Sequence, residues 1–381
     1  MARNTLFRLL PLLSSSIIVF GMFTPHTTCS NGNSVSSAEC CVWFDVLEDI
    51  QAHMYNGGIC DEVVSDAIRL TFHDAIGYSS SLFEQGLFGG GGADGSIMYF
   101  AASELNYPRN AGLQTIATVE RPYAELYNVS FGDMSGQVPL IQFSGAVALR
   151  NCPGGPHLRF LAGRPPAIAA APNNGLLPGA EETVDVLLSR MADAGISPSD
   201  LIDLLASHSV AFQEKMDPSI PFTPFDSTPT ILDAQFFVET LLNGTDWPGD
   251  GEHVGEAKSP LDGEFRLLAD HRLARDPRTA CHWQSLISHP ESIAPRFKRA
   301  MEKVAVIGQD ANSLVDCSEV IPEPEAFEVP LPHLPAGKSL EDIEASCPDV
   351  EFPHITADPG PSTVIPSPIH IENDRLPVQS N

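Results

Sequence analysis

The sequence predicts a mainly α-helical protein. Three observations carry this reading: helical periodicity recurs along the chain, alternating strand patterns are almost absent, and the prolines concentrate after Ile321, where 12 of the 33 fall in the last 61 residues. The length of 381 residues suits one large domain or two lobes that share a core. No internal repeat is present.

The helical segments run in order over Cys41–Tyr55, Glu62–Ile76, Ile141–Asn151, Thr183–Ala194, Pro198–Val210, Leu232–Leu242, Phe265–Ser288 and Pro295–Gly308. In "SPSDLIDLLASHSV", Ser197 or Ser199 is placed to cap a helix whose first turn carries acids. Leu87–Ser96, "LFGGGGADGS", is a glycine-rich loop. From Ile321 the prolines forbid long helices, so residues 322–381 are expected to wrap over the body in extended form. Cys347 would pin that tail, and the end beyond about Pro366 is expected to be disordered.

Composition narrows the class. Hydrophobic residues make up 43% and charged residues 18%, as in soluble globular proteins, but the net charge is −28. With a pI near 4.6, the chain repels nucleic acid and anionic membrane, and neither is expected as a partner. The N-terminus places Arg3 and Arg8 before an apolar run from Leu9 to Phe23, the pattern of a secretory signal peptide. We take it as residues 1–25, with cleavage between Gly21 and Thr28, and expect an extracellular protein. The eight cysteines behind it are Cys29, Cys40, Cys41, Cys60, Cys152, Cys281, Cys317 and Cys347, enough for four disulfides. No CxxC occurs, and adjacent Cys40 and Cys41 are expected to bridge to different partners. Sequons at Asn128 and Asn243 are possible glycan sites.

Chemistry first shows in "IRLTFHDAI". On a helix, Glu62, Asp66, Arg69 and His73 fall at i, i+4, i+7 and i+11, one continuous stripe, while Val63, Val64, Ile68, Leu70 and Phe72 occupy the other faces. Two acids at i, i+4 repel, so helix propensity does not explain them. The plain alternative is a solvated polar face. The functional reading is a histidine that moves protons, one turn from a fixed cation. His208, in "LIDLLASHSVAF", lies near the end of an apolar helix. It is either a satisfied core residue or a ligand of a metal or heme iron, with Asp270 in "LLADHRLARD" as a candidate partner for its other ring nitrogen. Two oxygen-rich sets follow these histidines directly. Asp74, Asp94 and Ser96 with glycine-loop carbonyls form one; Ser209, Asp226, Thr228 and Asp233 form the other. Carboxylates, hydroxyls and carbonyls without His or Cys suit calcium, against the alternative of ordinary turn and cap chemistry.

These residues resemble a known family. "RLTFHDAI", "GGGGADGS", "FSGAVAL", "LLASHSVA", "PFDSTP", "DAQFFVETLL" and "ARDPRTACHWQS" are similar to the motifs of secreted fungal class II heme peroxidases of the ligninase group, and they span roughly Cys29 to Pro361. The resemblance implies two helical lobes sandwiching one heme b, over residues 26–321, with two structural calcium ions. It implies that His73 is the distal acid/base, Arg69 the distal cation and Asn110 the partner that sets the His73 tautomer, supported from Glu104. Phe72 would pack above the heme, His208 would be the axial ligand with Asp270 behind it, and Phe225 would pack on the proximal side. One calcium ion would take Asp74, Gly92, Asp94 and Ser96. The other would take Ser209, Asp226, Thr228, Asp233 and the Ile231 carbonyl. The implied disulfides are Cys29–Cys41, Cys40–Cys317, Cys60–Cys152 and Cys281–Cys347.

The resemblance implies hydrogen peroxide as oxidant and a monomeric enzyme. It also implies a reductant, on which the family divides. Manganese-oxidising members carry three carboxylates beside a heme propionate; the matching positions here are Glu62, Asp66 and Glu214. The family pattern of Glu, Glu, Asp is altered to Glu, Asp, Glu, and Phe212 stands where those enzymes have an arginine. Lignin-peroxidase-type members carry an exposed tryptophan where this chain has Asp203, so no tryptophan route is expected, and Trp283 is read as structural. The expectation is Mn(II) oxidation through an altered acidic site, or else oxidation of small phenols at the heme edge. A non-catalytic, calcium-stabilised glycoprotein is the reading from another class. A nonheme metal hydrolase is disfavoured, since no HExxH is present.

Overall fold

The computed structural model describes residues 26–129, 140–173, 175–344, 347–363 and 365. The expected leader, Ser130 of the first sequon and the tail from Pro366 lie outside these residues. The described helices are α1 Val42–Asp49, α2 Glu62–Ala75, α3 Ser80–Glu84, α4 Ser96–Tyr99, α5 Ala101–Glu104, α6 Leu113–Leu126, α7 Leu140–Asn151, α8 Val184–Asp193, α9 Pro198–Leu204, α10 Gln235–Leu241, α11 Leu268–Leu273, α12 Ala280–Ser288 and α13 Ile293–Val304. Strands occur as four antiparallel pairs of two residues each, such as Phe212–Gln213 with Thr223–Pro224. Among the described residues no helix is long and apolar enough to cross a membrane.

The helices sort into two groups. In one, α2 packs on α4, α6 and α7; in the other, α9 packs on α8, α12 and α13, and α10 on α11 and α12. The groups meet where α2 lies beside the 3₁₀ turn Leu205–Val210 that continues α9. Asp61 starts α2 by accepting the Val63 and Val64 amides, and Val63, Val64, Ala67, Ile68, Leu70 and Thr71 are buried. The partner α7 is buried almost all round. Gly145 makes the crossing close, because a Cβ there would lie 2.1 Å from Thr71 Oγ1. In α9, Ser197 and Asp200 form a reciprocal capping box with Pro198 in the first turn.

Three segments differ from expectation. Phe265–Ser288 is two helices rather than one. Pro277 cannot continue the hydrogen-bond ladder, and Thr279 Oγ1 donates to the Leu273 carbonyl at 2.5 Å across the break. The helix expected from Leu232 starts at Gln235, because residues 226–233 form a turn of side-chain-bonded aspartates and threonine. Leu113–Leu126 is a full helix that the sequence reading passed over: Pro122 sits within it, although Leu113, Ile116, Ala117, Glu120, Tyr123 and Ala124 mark its buried face.

The cysteines form Cys29–Cys41, Cys40–Cys317, Cys60–Cys152 and Cys281–Cys347, the pairing that the resemblance implies. The Cys40–Cys317 bond closes a loop across 277 residues, the kind of constraint that most restricts an unfolded chain. The proline-rich tail is largely extended. Besides Cys347, it is held by Gln284, whose amide donates to Val350 and Glu351 carbonyls at 3.0 Å, and by Gln235, which donates to the His333 carbonyl at 3.0 Å. Trp283 is fully buried against Phe236 and Phe237, its indole donating to the Phe237 carbonyl at 3.0 Å, as a structural tryptophan should.

One buried acid has a stability consequence. Glu120 of α6 is fully enclosed, accepts the Ser144 hydroxyl and has its other oxygen without a hydrogen bond. Burial pushes its pKa from 4.5 to about 8. The folded state therefore holds a proton that the unfolded state has released, and stability is lost as pH rises between these values. Melting temperature should fall between about pH 5 and pH 8, and Glu120→Gln should flatten that fall. Equal slopes in both proteins would show that Glu120 is ionised in the fold.

Candidate active site

Along α2 the stripe Glu62, Asp66, Arg69 and His73 is only partly buried, while the residues between are mostly enclosed. His73 donates from Nδ1 to Asn110 Oδ1 at 2.8 Å. The Asn110 amide nitrogen donates to the Glu104 carbonyl at 2.7 Å, so its oxygen has to be the acceptor. This fixes the tautomer: the proton is on Nδ1, and Nε2 keeps its lone pair. Glu104 supports the link through its backbone, since its carboxylate accepts the Ala171 amide at 2.9 Å. Burial, reinforced by the Arg69 charge, presses the His73 pKa from 6.5 down to about 3. The imidazole is thus a neutral base at any higher pH. Arg69 donates to the Ala111 carbonyl at 2.9 Å, and its cation is balanced by Asp66 and Glu214.

The second histidine stands on the 3₁₀ turn Leu205–Val210. His208 donates from Nδ1 to Asp270 Oδ2 at 2.8 Å, and Asp270, in the first turn of α11, is 2% exposed. Phe225 and Phe236 meet the imidazole edge to face, with centroids 5.2 Å and 5.5 Å away. Phe236 was missed by the sequence reading, although "DAQFF" carries it. Phe72 neighbours His73 at 6.1 Å between ring centroids. An imidazole whose Nδ1 is tied to a buried carboxylate offers a basic Nε2, so His208 fits an axial ligand of heme iron. His73, tied to a neutral amide, fits a proton carrier.

The two oxygen-rich sets each come together. Asp74 accepts the Gly95 amide at 3.0 Å and Asp94 the Ser96 amide at 3.0 Å, and Asp74, Gly92, Asp94 and Ser96 are all buried. Gly92 has φ +72°, and a Cβ there would strike the Ile307 carbonyl at 2.1 Å, so only glycine lets this loop dock on the end of α13. Burial and the mutual charge raise Asp74 well above 3.8, and burial raises Asp94 to about 6. In the second set, Ser209 Oγ lies 2.8 Å from the Ile231 carbonyl and 3.4 Å from Asp233 Oδ1. Thr228 Oγ1 lies 3.2 Å from the same Asp233 oxygen. Asp226 is fully buried with Oδ2 lacking any hydrogen bond. Paired acids buried with an orphaned oxygen need a cation, and the all-oxygen donor sets fit calcium.

Glu62 and Asp66 on α2 and Glu214, which follows the Phe212–Gln213 strand, are near enough for their charges to act on one another. Burial raises the Asp66 pKa to about 7; Arg69 opposes the shift, and Glu214 and Glu62 add to it. Glu214 Oε2 is buried without a hydrogen bond, while Oε1 pairs with Lys215 at 2.5 Å. A Cβ on Gly112 would lie 3.1 Å from both Arg69 Nη1 and Glu214 Oε2, so glycine leaves room for both charges. Lys215 and Gly112 carry no signal in the sequence alone. Asp203 is buried and pairs with His282 at 2.7 Å, so that position offers no surface redox group. The first sequon's Asn128 has φ +49°, and Asn243 donates its backbone amide to the Asp342 carbonyl at 2.7 Å.

Comparison with known proteins agrees with this geometry. Residues 46–289 match the family described as Peroxidase, and residues 292–369 match the Fungal peroxidase extension region. Manganese peroxidase 3 of Phlebia radiata is 46% identical over 360 residues, covering 94% of this chain and 97% of that protein. Ligninase B of Phanerodontia chrysosporium is 45% identical over 343 residues, covering 89% and 90%. A versatile peroxidase of Pleurotus eryngii is 44% identical over 343 residues, covering 90% of each. The chain belongs to the peroxidase family, in the fungal class II group whose members carry the fungal extension region.

Proposed function

We propose that this hydrogen-peroxide-dependent heme peroxidase takes its electrons from Mn(II), bound by Glu62, Asp66 and Glu214. The observation that carries the reading is a set of three carboxylates that act on one another: burial, with the charges of Glu214 and Glu62 added, holds a proton on Asp66 up to about pH 7, and Glu214 keeps an oxygen unbonded. A divalent cation would displace that proton and satisfy that oxygen. A relative of this chain is named manganese peroxidase. Small phenols remain a second reading, favoured by Lys215, which already neutralises Glu214, and by Phe212.

Heme b, when bound by His208, supplies the redox chemistry between peroxide and reductant. The residues around it do the rest. His73 Nε2 takes a proton from one oxygen of hydrogen peroxide and delivers it to the other, which leaves as water. Asn110 keeps Nδ1 protonated so that Nε2 is the working atom. Arg69 stabilises the charge that develops as the O–O bond breaks. Asp270 holds His208 in one orientation and keeps the proton on Nδ1, leaving Nε2 free to bond iron. Calcium in the two oxygen-rich sets would fix the ends of the segments carrying His73 and His208. The four disulfides and the expected leader support an extracellular enzyme. Peroxidase family membership sets aside the non-catalytic reading.

Two outcomes test these assignments. Steady-state oxidation of Mn(II) should saturate in the wild type and fall by about 100-fold or more in Glu62→Ala, with phenol oxidation retained. Absent Mn(II) turnover in a wild type that oxidises phenols would favour the second reading. Chelation of calcium should lower the melting temperature by several degrees, reversed by added calcium, since saturation to about 100 times Kd is worth about 2.7 kcal/mol. An unchanged melting curve would leave the two acid pairs without their cations.

A further inference from the structure

A separate cluster of ligand-type side chains lies in the segments after Glu214 and after Gly249. Asp217, Asp250 and His253 each bring a ligand atom within 4.8 Å of the others. We propose that Asp217, Asp250 and His253 form a site for a divalent transition-metal ion, with the buried Glu256 carboxylate near it, distinct from the two all-oxygen sets and from the Glu62–Asp66–Glu214 set.

The distances fit an ion better than a hydrogen-bonded network. His253 Nε2 stands 3.4 Å from Asp217 Oδ1 and 3.5 Å from Asp250 Oδ1, too far for a good hydrogen bond to either. Two ligand atoms each about 2.1 Å from one tetrahedral ion lie about 3.4 Å apart. The site also has a built floor. Asp217 is 0% exposed; its Oδ1 accepts the Ser219 amide at 2.8 Å and hydroxyl at 2.6 Å, and its Oδ2 has no hydrogen bond. Gln213 locks the turn, accepting the Asp217 amide at 3.0 Å and donating to the Asp217 carbonyl at 3.0 Å. A Cβ on Gly249 would fall 1.7 Å from Asp217 Oδ2, so only glycine admits the carboxylate here.

Glu256 supplies the independent observation. It is 4% exposed, neither carboxylate oxygen has a well-formed hydrogen bond, and the Gly249 amide is the backbone donor that acts on it. The charges that bear on it are those of Asp217, His253 and Asp250. A buried carboxylate short of hydrogen bonds, near two more and an imidazole, is a place where a cation would be stabilised. The imidazole among oxygen donors selects zinc or a similar first-row ion over calcium. Such an ion would clip the 249–256 loop to the 213–219 turn, which begins beside Glu214.

Zinc is the probe, added to calcium-saturated holoenzyme carrying Glu62→Ala, so that the Mn(II) set is disabled. Calorimetric titration should give one zinc per chain and a raised melting temperature. Adding His253→Gln should weaken binding by about tenfold or more and abolish the melting shift, while the absorption spectrum stays that of the parent. His253 is partly exposed on a loop, so this variant should fold. Absence of zinc binding in the Glu62→Ala protein would overturn the proposal and leave a histidine–carboxylate cluster only. Binding unaffected by His253→Gln would overturn it equally, by placing the zinc elsewhere. Because Glu62 is already removed, neither result bears on the Mn(II) reading.

Discussion

Two hydrogen bonds of 2.8 Å organise the centre of this protein: His73 Nδ1 to Asn110, and His208 Nδ1 to Asp270. Each takes one ring nitrogen out of play and leaves Nε2 as the working atom. The partners differ in charge, and that difference divides the labour. Burial, together with the Arg69 cation, keeps His73 a weak base that is uncharged above about pH 3, while the neutral Asn110 amide fixes its tautomer. A buried carboxylate makes His208 a stronger donor. The rest of the fold brings the segments that carry these two rings together, with α2 beside the Leu205–Val210 turn. Gly145 lets α7 approach α2 closely, and the capping box at Ser197 sets the start of the helix that ends in His208.

The net charge of −28 has an interior counterpart. Asp66, Asp74, Asp94, Asp226, Asp233 and Glu120 all have pKa values raised by burial. Ionising these acids in place calls for counter-charges nearby. Arg69 beside Asp66 is one solution to this electrostatic problem; the calcium proposed for the paired acids and the ion proposed at His253 would be two more. Lys215 is a fourth: it supplies from the chain itself a charge that Glu214 would otherwise seek from an ion.

Much of this was legible in the sequence because it is local. The stripe from Glu62 to His73 follows from helical spacing alone, and the histidine-plus-acid sets lie next to each other in the chain. Across long separations spacing carries little: Asp270 is only a candidate partner of His208 on the residues alone, and the pairing of Cys40 with Cys317 comes through family resemblance. What was missed is tertiary. Leu113–Leu126 was hidden by Pro122, Phe265–Ser288 was read through Pro277, and the roles of Gly112, Lys215 and Phe236 depend on what the fold brings beside them. The cluster around Glu256 joins segments about 40 residues apart and has no motif.

The central claim is that a porphyrin iron is bonded by His208 and faced, without a bond, by His73. Heme binding by absorption spectroscopy tests it directly in His208→Ala and His73→Ala. The account predicts that His208→Ala loses the Soret band of the axially ligated protein, and that added imidazole restores it. His73→Ala should keep that band and stoichiometric heme. A protein whose Soret band survives loss of His208, or disappears with loss of His73, would contradict it.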